Sequence, residues 1–127
     1  MSKFKTKSIK NSFKNSGKGL RLVLKSERNI RVHSAVAVLV LIVSFVLKLS
    51  VVKICIVLFA IAQVMVTEML NTGLEFTIDA IYHNKYSKMI GMAKDISAAA
   101  VLFATVISII VGFLIFVPEI VNHLSSL

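Results

Sequence analysis

A chain of 127 residues suffices for one small domain, but its 57% hydrophobic residues and mean hydropathy of +0.86 exclude an ordinary soluble fold. The net charge of +9 would fit a nucleic-acid-binding protein, yet ten of the 15 Lys and Arg residues precede Val32, with few aromatic residues among them. This segregation favours an anionic membrane surface as partner and argues against nucleic acid. The composition predicts an all-α integral membrane protein, with residues 1–127 forming a single domain.

The N-terminal region is basic and polar. Residues 1–11 contain too little apolar surface to offset chain entropy, so we expect a mobile arm there. In residues 12–27, Phe13, Leu20 and Leu24 recur at intervals of seven and four, and the basic side chains lie largely elsewhere. This pattern predicts an amphipathic helix on the membrane surface.

Three apolar segments follow the basic region. The third contains no formal charge from Ile96 to Pro118, and the second contains only Lys53 between Leu49 and Thr67. About 20 apolar residues are needed to cross a hydrocarbon core of roughly 30 Å. The sequence therefore predicts three membrane helices, over residues 29–48, 50–81 and 95–118.

The connections between these segments differ in length and charge. The first, KLSVVK at residues 48–53, is a tight turn that makes the first two helices antiparallel, and the second is the polar stretch at residues 82–94. Thirteen Lys and Arg residues lie in the N-terminal region and the 82–94 loop, against two in the short turn. The positive-inside rule then predicts a multi-pass plasma-membrane protein with a cytoplasmic N-terminus and its C-terminus outside.

Polar side chains recur along one face of the second membrane helix. Their spacings of three, four and seven predict one surface, here called the polar stripe, formed by Glu68, Asn71, Thr72, Glu75 and Asp79. Carboxylates in a membrane helix are costly and usually face a site or an ion, and hard oxygen ligands suit Mg²⁺. The alternative is the solvated end of a long helix, paired with Lys85, Lys88 or Lys94. A zinc site is excluded, because Cys55 is alone and the three histidines are scattered.

Two further clusters lie near the predicted cytoplasmic side. KSERNIRVH, residues 25–33, contains Glu27 among basic side chains, and in isolation it indicates a surface ion pair with Arg28 or Arg31. AKDISAAAVL, residues 93–102, contains Lys94 and Asp95, and in isolation it indicates a membrane anchor with an N-capping acid. The chain contains no glycine-rich phosphate loop, so nucleotide binding would depend on carboxylate-held Mg²⁺ and cationic side chains.

The segments ERNIRVH, EMLNTGLEFTID and AKDISAAAVL occur in this order within three spans, and together they resemble the small prokaryotic membrane lipid kinases. This is the diacylglycerol kinase and undecaprenol kinase family, and the resemblance covers about residues 12–117. The ERNIRVH form is similar to the Gram-positive branch of undecaprenol kinases. The resemblance implies a homotrimer of three-span subunits, each with a surface helix. It also implies active sites shared between neighbouring subunits at the cytoplasmic interface.

The resemblance also implies roles for individual residues. Glu68 matches the general base, and Glu27 and Glu75 match Mg²⁺ ligands. The implied nucleotide-binding residues are Glu27, Asn71, Glu75, Asp79, Tyr86, Lys94 and Asp95. The implied lipid-contacting residues are Arg28, Asn29, Ile30, Arg31, Val32 and His33, together with Glu68 and Ala98.

Two positions depart from the family pattern. Gly73 stands where relatives more often have Ala, which should loosen the helix slightly. In the 82–94 loop, Lys85, Tyr86 and Ser87 stand where relatives have a Glu-Tyr-His triplet that contacts nucleotide, so only Tyr86 carries over.

The sequence thus predicts transfer of the ATP γ-phosphoryl group, with Mg²⁺, to the hydroxyl of undecaprenol at the membrane interface. A diacylglycerol kinase with the same mechanism is the first alternative. A non-enzymatic membrane oligomer, whose acidic stripe lines a cation pore or serves regulation, is the second.

Overall fold

The structure, a computed structural model, describes residues 8–83 and 85–127. These residues form four α-helices and no strand: α1 (Ile9–Ser26), α2 (Arg28–Val46), α3 (Val51–Tyr82) and α4 (Lys88–Ser125). α3 packs mainly against α4, α2 packs against α3, and α1 packs mainly against α2. The predicted all-α class is therefore confirmed.

The first helix begins earlier than residue 12, where the sequence pattern placed it. Ser8 caps α1, because its side-chain oxygen accepts a hydrogen bond from the backbone N–H of Asn11 at 3.3 Å. Of the arm expected over residues 1–11, residues 1–7 lie outside the described residues, and the part from Ile9 onward is helical. α1 ends at Ser26, and Glu27 then adopts an extended conformation (φ −111°, ψ 114°) that separates α1 from α2.

Helices α2, α3 and α4 are each long and apolar enough to cross a membrane. Many of their large apolar side chains are exposed, including Phe45, Phe59 and Phe103. Contiguous apolar surface on this scale is rare in soluble proteins and is typical of contact with lipid. The three helices match the three membrane segments predicted from the sequence.

α4 is longer than the predicted membrane segment 95–118 at both ends. It begins at Lys88, because the side chain of Ser87 accepts a hydrogen bond from the backbone N–H of Ile90 at 3.2 Å. It also continues past Pro118 to Ser125. The sequence prediction followed the distribution of charge, whereas the helix ends follow local capping hydrogen bonds.

A tight turn joins α2 to α3. The N–H of Leu49 donates to the carbonyl of Ser44, and that of Lys48 donates to the carbonyl of Phe45, both at 3.1 Å. This is the Schellman arrangement, and it places Lys48 in the left-handed region at φ 54°, where glycine is usual. Ser50 then caps α3 by accepting from the N–H of Lys53. Leu49 is buried in a small apolar core at this end of the bundle.

Three polar links join α3 to α4 at different depths. Asp79 pairs with Lys94 at one end, and Lys53 pairs with Glu119 at the other. Between them the Ser108 hydroxyl donates to the carbonyl of Ala60 at 2.9 Å, and the amide of Gln63 donates to Ser108 Oγ at 3.2 Å. The order of these partners along the two helices makes α3 and α4 antiparallel. In a membrane-spanning bundle such hydrogen bonds also supply partners for groups that lipid cannot satisfy.

Candidate active site

The polar stripe begins in the interior of the helix bundle and ends at its surface. Glu68 and Thr72 are buried, Asn71 and Glu75 are half-buried, and Asp79 is exposed. α3 has 32 residues and is about 48 Å long, so it is longer than the hydrocarbon core of a bilayer. One helix therefore presents oxygen-bearing side chains in environments that range from nearly dry to fully solvated.

The buried end of the stripe contacts the start of α2. His33 Nε2 lies 3.3 Å from Glu68 Oε1, and the side chain of Glu68 is only 6% exposed. A buried carboxylate is costly unless a donor or a positive charge accompanies it. His33 is the side-chain partner of Glu68 among the described residues, and the contact joins the implied general base to a second residue implied to contact the lipid.

The exposed end of the stripe contacts the start of α4. Lys94 Nζ donates a hydrogen bond to Asp79 Oδ1 at 2.9 Å. The negative charge of Glu75 attracts the same ammonium group. For Asp79, the structure thus shows the lysine pairing that the alternative interpretation of the stripe expected, with Lys94 as the partner. The same contact places two of the implied nucleotide-binding residues side by side.

The middle of the stripe contains an unsatisfied acceptor. Asn71 Oδ1 is buried and receives no hydrogen bond from any described residue. A buried acceptor without a donor costs free energy, so most such groups have a partner in the functional state. Asn71 Oδ1 is therefore free to accept a hydrogen bond from a ligand.

Glu27 lies at the joint between α1 and α2. It is half-buried, its side chain makes no capping hydrogen bond, and no described residue forms an ion pair with it. The surface ion pair with Arg28 or Arg31, expected from the segment in isolation, is thus not observed. Arg31 instead donates from Nη1 to the carbonyl oxygens of Leu24 and Lys25, at 3.0 and 2.9 Å. Arg31 therefore caps the C-terminus of α1, where the helix dipole favours a positive charge.

The donor set is compatible with Mg²⁺. Within the described ranges, no group of three or more His, Cys, Asp and Glu side chains comes together as a metal cage. Mg²⁺ does not need such a cage, because it commonly retains waters and binds one or two carboxylates plus substrate phosphates. Glu27 and Glu75 are half-buried carboxylates that no ion pair occupies in the part of the chain that is described, so their chemistry fits this ion.

The remaining implied site residues lie in different environments. Arg28, Asn29 and Val32 are exposed on α2, whereas Ile30 is fully buried and contributes to packing between the helices. On α4, Asp95 and Ala98 are exposed. Asp95 lies inside the helix, so it is not the N-cap that the segment in isolation suggested.

Tyr86 precedes α4, and its ring lies over Gly91. A Cβ atom at Gly91 would come within 2.7 Å of the Tyr86 hydroxyl oxygen. Tyr86 is otherwise 81% exposed. No hydrogen bond or ion pair between described residues connects Tyr86, Asp95 or Ala98 to the polar stripe.

A groove between α2, α3 and α4 is the feature that sequence reasoning missed. It encloses about 390 Å³ and is almost entirely apolar. Its lining includes His33, at the same end as Glu68, and small residues that leave the space open, among them Ala37, Ala60 and Gly112. The small residues could have indicated a groove. Because they lie on three separate helices, however, the sequence does not show that they face one another.

The described residues combine three helices long and apolar enough to cross a membrane with a buried carboxylate near one end of an apolar groove and a lysine–carboxylate pair beyond it. Comparison with known proteins specifies the class. The family model described as prokaryotic diacylglycerol kinase matches residues 14–116. The chain belongs to this family and is a lipid kinase, a phosphotransferase with an alcohol acceptor and a nucleotide phosphoryl donor.

The relatives of this chain include proteins named undecaprenol kinase and proteins named diacylglycerol kinase. The undecaprenol kinase of Bacillus subtilis (strain 168) is 39% identical over 108 residues, which are 85% of this chain and 87% of the relative. The diacylglycerol kinase of Synechocystis sp. is 30% identical over 111 residues, 87% of this chain but 63% of the relative. The diacylglycerol kinase of Escherichia coli (strain K12) is 30% identical over 95 residues, 75% of this chain and 77% of the relative. Because the chain belongs to an enzyme family, the alternative prediction of a non-enzymatic membrane oligomer is excluded.

Proposed function

We propose that this lipid kinase transfers the γ-phosphoryl group of ATP to undecaprenol, giving undecaprenyl phosphate, and that it requires Mg²⁺. The observation that carries the proposal is the buried Glu68 carboxylate, held against His33 at the end of an apolar groove. The higher identity to the Bacillus relative than to the two diacylglycerol kinases supports undecaprenol as the acceptor. The ERNIRVH segment supports the same choice.

In the proposed reaction, Glu68 is the general base. As the acceptor oxygen bonds to the γ-phosphorus, the hydroxyl proton passes to the Glu68 carboxylate. The bond between the γ-phosphorus and its bridging oxygen breaks, and ADP leaves with the electron pair. Lys94 offsets negative charge that develops on the transferred group.

The nucleotide is held by the exposed part of the stripe and the start of α4. Asn71, Asp79, Tyr86 and Asp95 contribute to nucleotide binding in this proposal, and the free Oδ1 of Asn71 is an acceptor for a ligand donor. Mg²⁺, bound by Glu27 and Glu75, would neutralise phosphate charge. The half-buried state of both carboxylates supports this role.

The lipid acceptor lies with its chain in the apolar groove and its hydroxyl at the His33 end. A groove of about 390 Å³ lined by α2, α3 and α4 offers apolar contact along the membrane-spanning helices. The exposed residues Arg28, Asn29 and Val32, with Ala98, surround the entrance in this proposal, and Ile30 and Arg31 hold this part of α2 in place. Among them, Val32 lines the groove directly.

We further propose the assembly and membrane placement. Subunits associate as homotrimers in the plasma membrane, with the N-terminus in the cytoplasm and the C-terminus outside. Glu68 lies about 26 Å along α3 from Val51, so an outer boundary near Val51 places Glu68 near the inner boundary. α1 lies on the inner surface, where its lysines face anionic headgroups and exposed Phe13 and Leu20 enter the interface.

Diacylglycerol is the second candidate acceptor, because two relatives named diacylglycerol kinase match most of this chain. The deciding experiment measures Mg²⁺-dependent phosphorylation of undecaprenol and of diacylglycerol by the purified protein in matched mixed micelles. We expect a higher kcat/KM on undecaprenol. Equal or greater activity on diacylglycerol would reject the proposed acceptor while leaving the kinase chemistry intact.

A further inference from the structure

The groove and the proposed base are connected through one side chain. The lining of the groove includes the imidazole of His33 but not the carboxylate of Glu68. The Glu68 carboxylate contacts that imidazole, with His33 Nε2 at 3.3 Å from Oε1. His33 therefore contacts both the groove and the proposed base.

The orientation of Glu68 depends on this contact. No described side chain other than His33 forms an ion pair with Glu68, and no hydrogen bond between described residues ends on its carboxylate. A carboxylate that is 6% exposed needs such a partner, because water cannot supply the missing donors. The neighbouring side chains in the groove, such as Val36 and Val64, are apolar and offer none.

We propose that His33 is a positioning residue for Glu68, which rests on the proposed role of Glu68 as the general base. The N–H at His33 Nε2 holds Oε1 of the carboxylate, and the second carboxylate oxygen then takes the proton of the acceptor hydroxyl as that hydroxyl oxygen bonds to phosphorus. The imidazole gains and loses no proton in this step. Catalytic hydrogen bonds are commonly poorly aligned until the reacting complex forms, so alignment of the Nε2–H with Oε1, from the contact at 3.3 Å, is part of the proposal.

Two substitutions distinguish the effect of the imidazole N–H donor from the effect of the size of the side chain. His33→Gln retains an N–H donor at similar reach, whereas His33→Leu fills comparable space without one. We expect His33→Leu to lower kcat about ten- to a hundredfold with little change in the KM for ATP or lipid, because a hydrogen bond to a charged group is lost. We expect His33→Gln to recover most of that loss. His123→Gln, an exposed histidine near the C-terminus, is the matched control and should not alter kcat.

Two results would overturn the inference. One is a kcat for His33→Leu equal to that of the unchanged protein. The other is an equal loss in His33→Leu and His33→Gln, because bulk or shape would then explain it. In the first case, an accompanying rise in the KM for lipid would show that His33 only shapes the groove.

A measurement without turnover keeps the inference testable if His33→Leu does not fold. In the full-length protein with ¹⁵N-labelled histidine, the Nε2 resonance of His33 should shift when Glu68 is replaced by Gln, and the resonances of His83 and His123 should not. An unchanged Nε2 resonance would reject the contact. Failure of the proposed function is distinct, since it would appear as a folded, unchanged protein that phosphorylates no lipid alcohol.

Discussion

The side chain of Glu68 is buried, whereas that of Glu75, two turns along the same helix, is only half-buried. Residue spacing predicted correctly that both belong to the stripe. Spacing could not rank them by burial, because burial depends on where α2 lies against α3. The assignment of Glu68 as base and Glu75 as metal ligand follows from resemblance, and the difference in burial supports this division of roles.

Glu68→Gln removes the proposed proton acceptor while retaining the size of the side chain. We expect turnover to fall at least about a hundredfold, the usual scale of general-base catalysis, with ATP affinity largely retained. Initial rates of lipid phosphorylation and equilibrium ATP binding measure the two effects. Glu119→Gln is the control, because Glu119 pairs with Lys53 at the far end of α3 and α4. Near-normal turnover in Glu68→Gln would show that Glu68 is not the base.

At the scale of elements, the joint between α1 and α2 consists of one extended residue, Glu27, stabilised by Arg31. The sequence predicted Arg31 as a lipid contact, because family resemblance assigns roles by position and cannot detect a side chain that reaches back across a turn. The structure shows it bound to two carbonyl oxygens of α1. Arg31 thus restrains the backbone on both sides of a proposed Mg²⁺ ligand.

Arg31→Gln removes this cap. We expect the last turn of α1 and Glu27 to exchange backbone amide hydrogens about tenfold faster, because charge-assisted hydrogen bonds that close the turn are lost. Hydrogen exchange followed by mass spectrometry measures the change, and Arg21→Gln, on the exposed surface of the same helix, is the control. Unchanged exchange at residues 24–27 would show that the cap contributes nothing to the joint.

Gly73 lies in the middle of α3, and a Cβ atom there would meet no heavy atom within 4 Å. Gly73→Ala should therefore raise the free energy of unfolding by about 1 kcal/mol, the difference in helix propensity, and raise Tm accordingly. Gly91→Ala is the contrasting variant, since its Cβ would require the exposed Tyr86 side chain to move aside, and it should give a smaller gain. A loss of stability in Gly73→Ala would show that another subunit occupies the space beside Gly73.

At the scale of the whole molecule, the sequence predicted the all-α class and the number of spanning helices, because long apolar runs have few other structural solutions. It predicted the ends of those helices less well. Ser8 and Ser87 extend α1 and α4 through single capping hydrogen bonds that charge patterns do not reveal. The groove could not be predicted either, since it belongs to no single helix.

The proposed orientation can be tested with the chain's single cysteine. In a Cys55→Ser background, Ser12→Cys and Ser126→Cys introduce one thiol at each end of the described structure. We expect a membrane-impermeant maleimide added to intact cells to label Ser126→Cys but not Ser12→Cys, with both labelled after permeabilisation. The charge distribution predicts the proposed topology. Labelling of Ser12→Cys in intact cells would show that the true topology is the reverse.

The three polar links between α3 and α4 have a consequence for changes in chain length. One inserted residue rotates everything beyond it by about 100° around the helix axis. An insertion in α3 between Gln63 and Asp79 would therefore separate Asp79 from Lys94 while the links at Ser108 and Glu119 remained formed. These links determine the register of the two helices. An insertion or deletion between two links in α3 therefore requires an equal change between the same two links in α4.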